Sequence, residues 1–263
     1  MKVKMIVASH KPYKMPQGRN IYLPVLVGAT LRDKVPEGFQ PDDQGDNISA
    51  KNPYYNELTG VYWAWKNLSC DVIGLDHYRR YFVSNRTLQK DFSKILDKQQ
   101  IIDLVDGGKV VVPKKRKYYI ETIESHYLHS HSKLGLVSLK NVFAWQSVDY
   151  QNALKDVLQA KSAHMFNMFI MKKSDFDAYC SWLFGILGQI EDQIDYDQLL
   201  GNEKRVLGFL AEFLLDVWIK ANKKNYVESP VLFMESNHWP KKISIFLLNK
   251  ICRGRLRLNT HIK

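Results

Sequence analysis

Three apolar, β-branched runs in this chain each stop abruptly on a cluster of polar side chains, and helical stretches lie between them. KVKMIVA, from Lys2 to Ala8, ends in Ser9, His10, Lys11 and Pro12; VIGL ends in Asp76, His77, Tyr78, Arg79 and Arg80; KVVVP closes on Pro113 and the basic run Lys114 to Lys117. Such runs read as buried strands. Strands alternating with helices predict an α/β fold with a mostly parallel central sheet, flanked by helices, and with the first strand in mid-sheet. Open sheets of this kind gather ligands at the carboxyl ends of their strands, which is where the polar clusters fall.

The remaining sequence fills in that plan. Between Val35 and Pro53 the stretch PEGFQPDDQGDNISAKNP is rich in Pro, Gly, Asp and Asn and reads as a long loop. After Asn56, the residues Leu58, Val61, Tyr62, Trp65 and Leu68 recur at helical spacing. Helices are expected over Leu88 to Val105, Ile120 to His131, Ser147 to Ala160, Asp175 to Ile190 (Ser174 and Asp177 making a cap-like start) and Lys204 to Lys220. Met165 to Met171 and Tyr226 to Met234 read as further strands. No repeat, low-complexity tract or linker interrupts residues 1–240, so one domain is expected there, followed by a tail over 241–263.

Composition then excludes several classes. With 45% hydrophobic and 25% charged residues, the 263-residue chain is globular rather than disordered, collagenous or coiled-coil. No apolar run approaches the roughly 18 residues of a spanning helix, and MKVKMIVASHKPYK turns polar too early for a signal peptide, so a cytoplasmic protein is expected. Cys70, Cys180 and Cys252 lie far apart without CxxC spacing, which argues against a disulfide framework or structural zinc. Of the net charge of +11, the tail contributes Lys241, Lys242, Lys250, Arg253, Arg255, Arg257 and Lys263 with no acid. Within it KKISIFLLNKICRGRLRL is amphipathic but too short to span, and is expected to dock on an anionic membrane surface at the inner face of the cell membrane. The body is near charge balance, so nucleic acid is not an expected partner.

Neither GxGxxG nor GxxxxGK[ST] is present, which removes the dinucleotide fingerprint and the NTPase phosphate loop. Transfer of a sugar from a nucleotide diphosphate instead needs the leaving diphosphate neutralised, by a metal on carboxylates or by cationic donors. Asp76 and His77 could hold Mn²⁺ or Mg²⁺, while the planar forks of Arg79 and Arg80 suit phosphate oxygens. Ser9, His10 and Lys11 offer a nucleotide site at the first strand end. Asp42, Asp43, Asp46 and Asn47 crowd the long loop, where turn chemistry explains them as readily as sugar binding. His126 and His129, three apart, share a helix face suited to substrate hydrogen bonding rather than zinc. Glu212, among apolar neighbours in VLGFLAEFLLDVW, is a candidate general base, with Asp216 one turn on.

The blocks ASHKPY, IYLPVLVGA, DDQGDNISAKNPYYNELTGVYWAWKN, IGLDHYRRYF, KKRKYYIETIESHYLHSH, AHMFNMFIMKKSDFDAYCSWLF and GFLAEFLLDVWI resemble, in order, those of a bacterial family catalogued as domain of unknown function 4422. Its members accompany capsule and exopolysaccharide assembly. The resemblance implies a glycosyltransferase of the single-domain GT-A fold, associated with galactofuranose transfer from a UDP-sugar donor, here to a lipid-linked glycan acceptor. It places polar motif positions on His10, Lys11, Asp46, Asn47, Asn56, Glu57, His77, Tyr78, Arg79, Arg80, His126, His164, Asn167 and Glu212. His10, Lys11, Asn47 and His77 to Arg80, with Ser9 and Asp76 added from their strand-end positions, are expected at the donor, and Asn56, Glu57, His126, His164 and Asn167 at the substrate. Glu212, ahead of Asp46, is the expected base of an inverting transfer. Asp76 stands outside the family pattern, and no Asp-x-Asp metal motif is present, so no metal cofactor is firmly expected. A non-catalytic glycan- or nucleotide-binding scaffold of a polysaccharide assembly complex is the rival class, and release of UDP from a UDP-sugar separates the two.

Overall fold

The computed structural model of the chain describes residues 1–16 and 20–235. The strands are β1 (Val3–Ser9), β2 (Tyr22–Leu26), β3 (Gln40–Pro41), β4 (Val72–His77), β5 (Arg80–Phe82), β6 (Val110–Pro113), β7 (Arg116–Lys117), β8 (Ser162–Ala163), β9 (Phe169–Lys172), β10 (Tyr226–Ser229) and β11 (Val231–Phe233). The helices are α1 (Asn52–Tyr55), α2 (Leu58–Asn67), α3 (Lys98–Leu104), α4 (Ile123–Ser130), α5 (Lys133–Phe143), α6 (Val148–Gln159), α7 (Lys173–Glu191) and α8 (Val206–Ala221). The central sheet runs β10-β6-β9-β4-β1-β2-β3, with β5 and β11 attached at its side. All neighbours along this path are parallel except β9, which runs antiparallel to both β4 and β6. The α/β fold with a mostly parallel sheet and a central first strand is therefore as expected.

Side-chain alternation explains why these strands are apolar at nearly every position. Ile6 and Ala8 of β1, Ile73 and Leu75 of β4, Val110 and Val112 of β6, and Phe169 and Met171 of β9 enter the larger core beneath α2 and α4–α8. Their neighbours Met5, Val7, Val72, Val111 and Ile170 enter a smaller core with Tyr78, Tyr81, Phe82, Leu96 and Ile101 on the opposite face. Gly74 in β4 is required by this packing: a Cβ there would come within 2.4 Å of the Met5 sulfur and 3.0 Å of the Phe169 carbonyl oxygen.

Several sequence expectations are corrected. The segment Leu88 to Val105 is helical only at Phe92–Lys94 and over α3, which starts at an Asp97–Gln100 capping box. The strand expected from Met165 starts at Phe169, because Phe166 and Asn167 take positive φ values of 79° and 56°. Ser174 and Asp177 do not cap α7; Lys172 precedes it without a side-chain cap, and Asp177 pairs with Lys173 instead. The Val35 to Pro53 loop contains β3, a 3₁₀ turn at Ser49–Lys51 and the start of α1. Asp42 organises it from complete burial, accepting from the Gly28 and Ala29 amides and the Ser49 hydroxyl. The tail over 241–263 and Cys252 lie outside the described residues.

Candidate active site

At the carboxyl end of β4, alternation sends Asp76 and His77 to opposite faces. Asp76 is wholly buried on the smaller-core face, where Oδ1 accepts from the Phe82 amide at 3.2 Å and Oδ2 has no partner. Burial without a compensating cation pushes its pKa well above the usual carboxylate range. On that face Asp76 lies away from the His77 side of the sheet, and adjacent strand residues do not converge on one ion, so the metal pair thought possible at Asp76 and His77 is not formed in this geometry. Among the described residues no three His, Cys, Asp or Glu side chains converge as metal ligands.

His77 faces the other way, into a cluster of charges. Its Nε2 lies 2.6 Å from the Phe166 carbonyl oxygen. A carbonyl can only accept, so Nε2 carries the proton and Nδ1 is left as an acceptor. Burial holds the imidazole pKa low, against the opposing pull of Glu57. Asn167 donates to Glu57 Oε1 at 2.8 Å and to the Gly208 carbonyl at 3.3 Å, while its own Oδ1 is buried without a partner. Asn56, just before Glu57, sits at φ 53°, ψ −127°, pinned by Arg205 Nε on its Oδ1 at 2.7 Å. Strained backbone at Asn56, Phe166 and Asn167 thus surrounds one spot at the strand ends, a pattern that accompanies functional sites.

Glu212 on α8 faces this spot. Desolvation raises its pKa first and the neighbouring Glu57 charge raises it further, while Arg80, Arg116 and Arg205 pull it down, leaving it at about 7. None of the three arginines is in ion-pair contact with a carboxylate among the described residues. Each lies instead on an aromatic ring: Arg80 on Phe166 at 4.5 Å and Phe233 at 5.8 Å, Arg116 on Tyr118 at 5.1 Å, Arg205 on Phe209 at 5.4 Å. Stacking of this kind fixes a guanidinium plane and leaves its N–H edge open to an anion. Arg79 differs, being held by exposed Glu235 at 2.8 Å while it lies over Tyr78.

A pocket of about 380 Å³ opens at the ends of β1 and β2, lined by His10, Lys11, Pro12, Leu26, Arg32, Lys34, Val35 and Pro36. The His10 pKa is lowered by burial and then by Lys11, Arg32, Arg79 and Arg205. Arg205 therefore acts on both His10 and Glu212 and links the pocket to the buried carboxylate. Tyr78 backs the pocket, with His10 edge-on to its ring at 5.4 Å and Tyr13 at 4.8 Å.

Other expected residues lie elsewhere or are already engaged. Asp46 accepts from the Tyr62 hydroxyl at Oδ1 and from Asn67 at its backbone carbonyl, toward the C-terminal end of α2 and away from Glu57, so it does not join Glu212. Asn47 closes its own loop on Asp43, Gly45 and the Ser49 amide, and the Ser9 hydroxyl is turned onto the Lys11 carbonyl. His164 is clamped at Nδ1 by Asp216 and at Nε2 by Glu228 at 3.2 Å, a brace between the β8 region, α8 and β10. His126 and His129 do share a face, but both grip Glu121, at 3.1 Å and 2.9 Å, and only the His126 ring leans toward the site through Tyr118.

The model of the family described as domain of unknown function (DUF4422) matches residues 4–224. The chain belongs to that family. A solved structure described as the apo form of the WbbM bifunctional glycosyltransferase is similar over 90% of this chain, with 29% identity and a TM-score of 0.80. The DUF4422 chain covers 46% of that structure, so it spans about half its length. No curated protein matches the chain. The fold of this DUF4422 member is thus that of the matching part of WbbM, and its polar site lies at the strand ends of that shared fold.

Proposed function

We propose that this protein is a glycosyltransferase of bacterial polysaccharide assembly that moves a hexose from a UDP-sugar to a glycan acceptor, with Glu212 as the base. The observation that carries the reading is Glu212 itself: a largely buried carboxylate poised at about pH 7, ringed by three arginines that do not neutralise it by contact. A base with a pKa near the working pH combines a sizeable ionised fraction with real proton affinity. In the reaction its carboxylate takes the proton of an acceptor hydroxyl, and the acceptor oxygen bonds to the anomeric carbon on the face opposite the diphosphate. The bond from that carbon to the diphosphate oxygen then breaks, and UDP departs with the electron pair. The pocket at His10, Lys11, Arg32 and Lys34 has the size and charge for the nucleotide. Arg205, which acts on both His10 and Glu212, and Arg80, which acts on Glu212, would take up the charge developing on the diphosphate.

Inversion follows from using one carboxylate as base and none as a covalent nucleophile. UDP-galactofuranose is the donor put first, and a lipid-linked glycan precursor the acceptor put first, both from the resemblance of the sequence blocks. Mn²⁺ or Mg²⁺ is not assigned, because among the described residues no three His, Cys, Asp or Glu side chains converge as ligands and three arginines already act on Glu212. The test is release of UDP from a panel of UDP-sugars with a lipid-linked acceptor mimic. Release that depends on acceptor and favours UDP-galactofuranose is expected; binding of UDP with no turnover on any donor would favour the scaffold alternative.

A further inference from the structure

Apart from Arg116, the basic run after β6 is not used by the reaction above, and its placement is informative. Arg116–Lys117 forms β7, which pairs antiparallel with Ser162–Ala163, so the run is held as a two-stranded ribbon rather than a loose loop. Lys114, Lys115, Arg116 and Lys117 are all exposed, and so is Lys161, whose carbonyl accepts from the Tyr118 amide at 2.8 Å. The turn beyond carries Tyr119, 77% exposed and at φ 56°, and Ile120, 62% exposed. A bulky residue at positive φ is strained, so this turn displays two large apolar side chains to solvent at a backbone cost. Strand alternation puts Arg116 and Tyr118 on the inner side, where both act on Glu212, and Lys115 and Lys117 on the other, with Lys115 over Tyr226. Glu121 at the start of the next turn is already occupied by His126 and His129, and Glu228 of β10 by His164.

We propose that this ribbon and its Tyr119–Ile120 tip dock on an anionic lipid bilayer, bringing the mouth of the Glu212 site up to the membrane. Unneutralised cations flanking an exposed aromatic and an exposed aliphatic residue match an anionic headgroup layer with acyl chains just beneath it. A nucleic acid would use the cations and Tyr119 for stacking but has no use for Ile120. Docking itself does not depend on the proposed chemistry, and vesicle binding can be measured without any sugar donor.

The test uses the full chain with vesicles of phosphatidylcholine, alone or with phosphatidylglycerol, and with single-stranded RNA as a third ligand. Hydrogen exchange localises the contact whatever other segments do. Amides of residues 114–120 are expected to gain protection with phosphatidylglycerol vesicles and not with neutral ones. Lys114→Gln/Lys117→Gln should bind those vesicles about 25-fold more weakly at low salt, at about fivefold per cation removed. Tyr119→Asn/Ile120→Ser, which keeps a residue tolerant of positive φ, should lower binding while leaving its salt dependence unchanged. The proposal is overturned if the chain does not bind anionic vesicles, if it binds while residues 114–120 exchange as before, or if RNA alone protects them.

Discussion

Asp76, wholly buried, and Glu212, largely buried, are both carboxyls near the carboxyl end of the central sheet with raised pKa values, yet their surroundings are opposite. Asp76 meets one backbone amide and the rings of the smaller core, with no cation acting on it. Glu212 looks across at Glu57 and is acted on by Arg80, Arg116 and Arg205. Burial alone makes a carboxyl neutral and inert. Burial opposed by nearby cations makes one that changes charge close to neutral pH, and only the second can exchange a proton with a substrate.

The largest effect expected from this contrast is on turnover. Glu212→Gln keeps the shape and removes the base, so turnover should fall by about 10²–10⁴-fold while UDP affinity stays near that of the parent. Asp76→Asn should leave turnover within a small factor. Parent-like turnover of Glu212→Gln would end its assignment as base.

Next come the arginines, which the same contrast separates. Losing a charge-assisted contact to phosphate costs about 1.5–3 kcal/mol, or roughly 10- to 150-fold in affinity. Calorimetry of UDP binding should show a loss of this size for Arg205→Ala and Arg80→Ala. It should show a much smaller one for Arg79→Ala, whose guanidinium is already held by Glu235 at 2.8 Å. Equal losses for Arg79 and Arg80 would mean that contact with Glu235 does not withdraw Arg79 from the site.

The last effect is on stability. The folded-state pKa of Asp76 lies above its unfolded value, so its contribution is fully present below about pH 4 and is lost as pH rises toward the folded pKa. One proton corresponds to about 1.4 kcal/mol per pH unit in that window. Denaturant unfolding between pH 5 and pH 8 should therefore show a shallower decline for Asp76→Asn than for the parent. An unchanged slope would mean that Asp76 ionises in the folded protein.

How much of this is legible in the sequence follows from the range of the interactions concerned. The strands β1, β4 and β6 announce themselves because burial on both faces makes them apolar at consecutive positions. Their polar ends, His10, Lys11 and His77 to Arg80, follow from that at once. Glu212 is readable as a carboxylate in an apolar helix, and Arg205, seven residues before it, lies on the same helix face; that spacing is the signal by which it could have been found. Arg32 and Lys34 carry no local signal, since only the parallel pairing of β1 with β2 brings them beside His10. Asp46 misleads for the converse reason: it is eleven residues from Glu57 in sequence but contacts the middle and far end of α2, away from Glu57. His164 resembles a site residue in sequence, and only the fold reveals Asp216 and Glu228 closing on its two nitrogens.

The poise of Glu212 is tested most directly by the pH dependence of kcat/KM in the parent and in two variants of its neighbours. A base works ionised, so the parent profile should rise with pH through about 7. Glu57→Gln removes the negative neighbour and should move that limb to lower pH, whereas Arg80→Ala removes a positive one and should move it higher, whatever each does to the maximum rate. A profile without a rising limb near neutrality, or a limb that neither substitution moves, would contradict Glu212 as the group that takes the acceptor's proton.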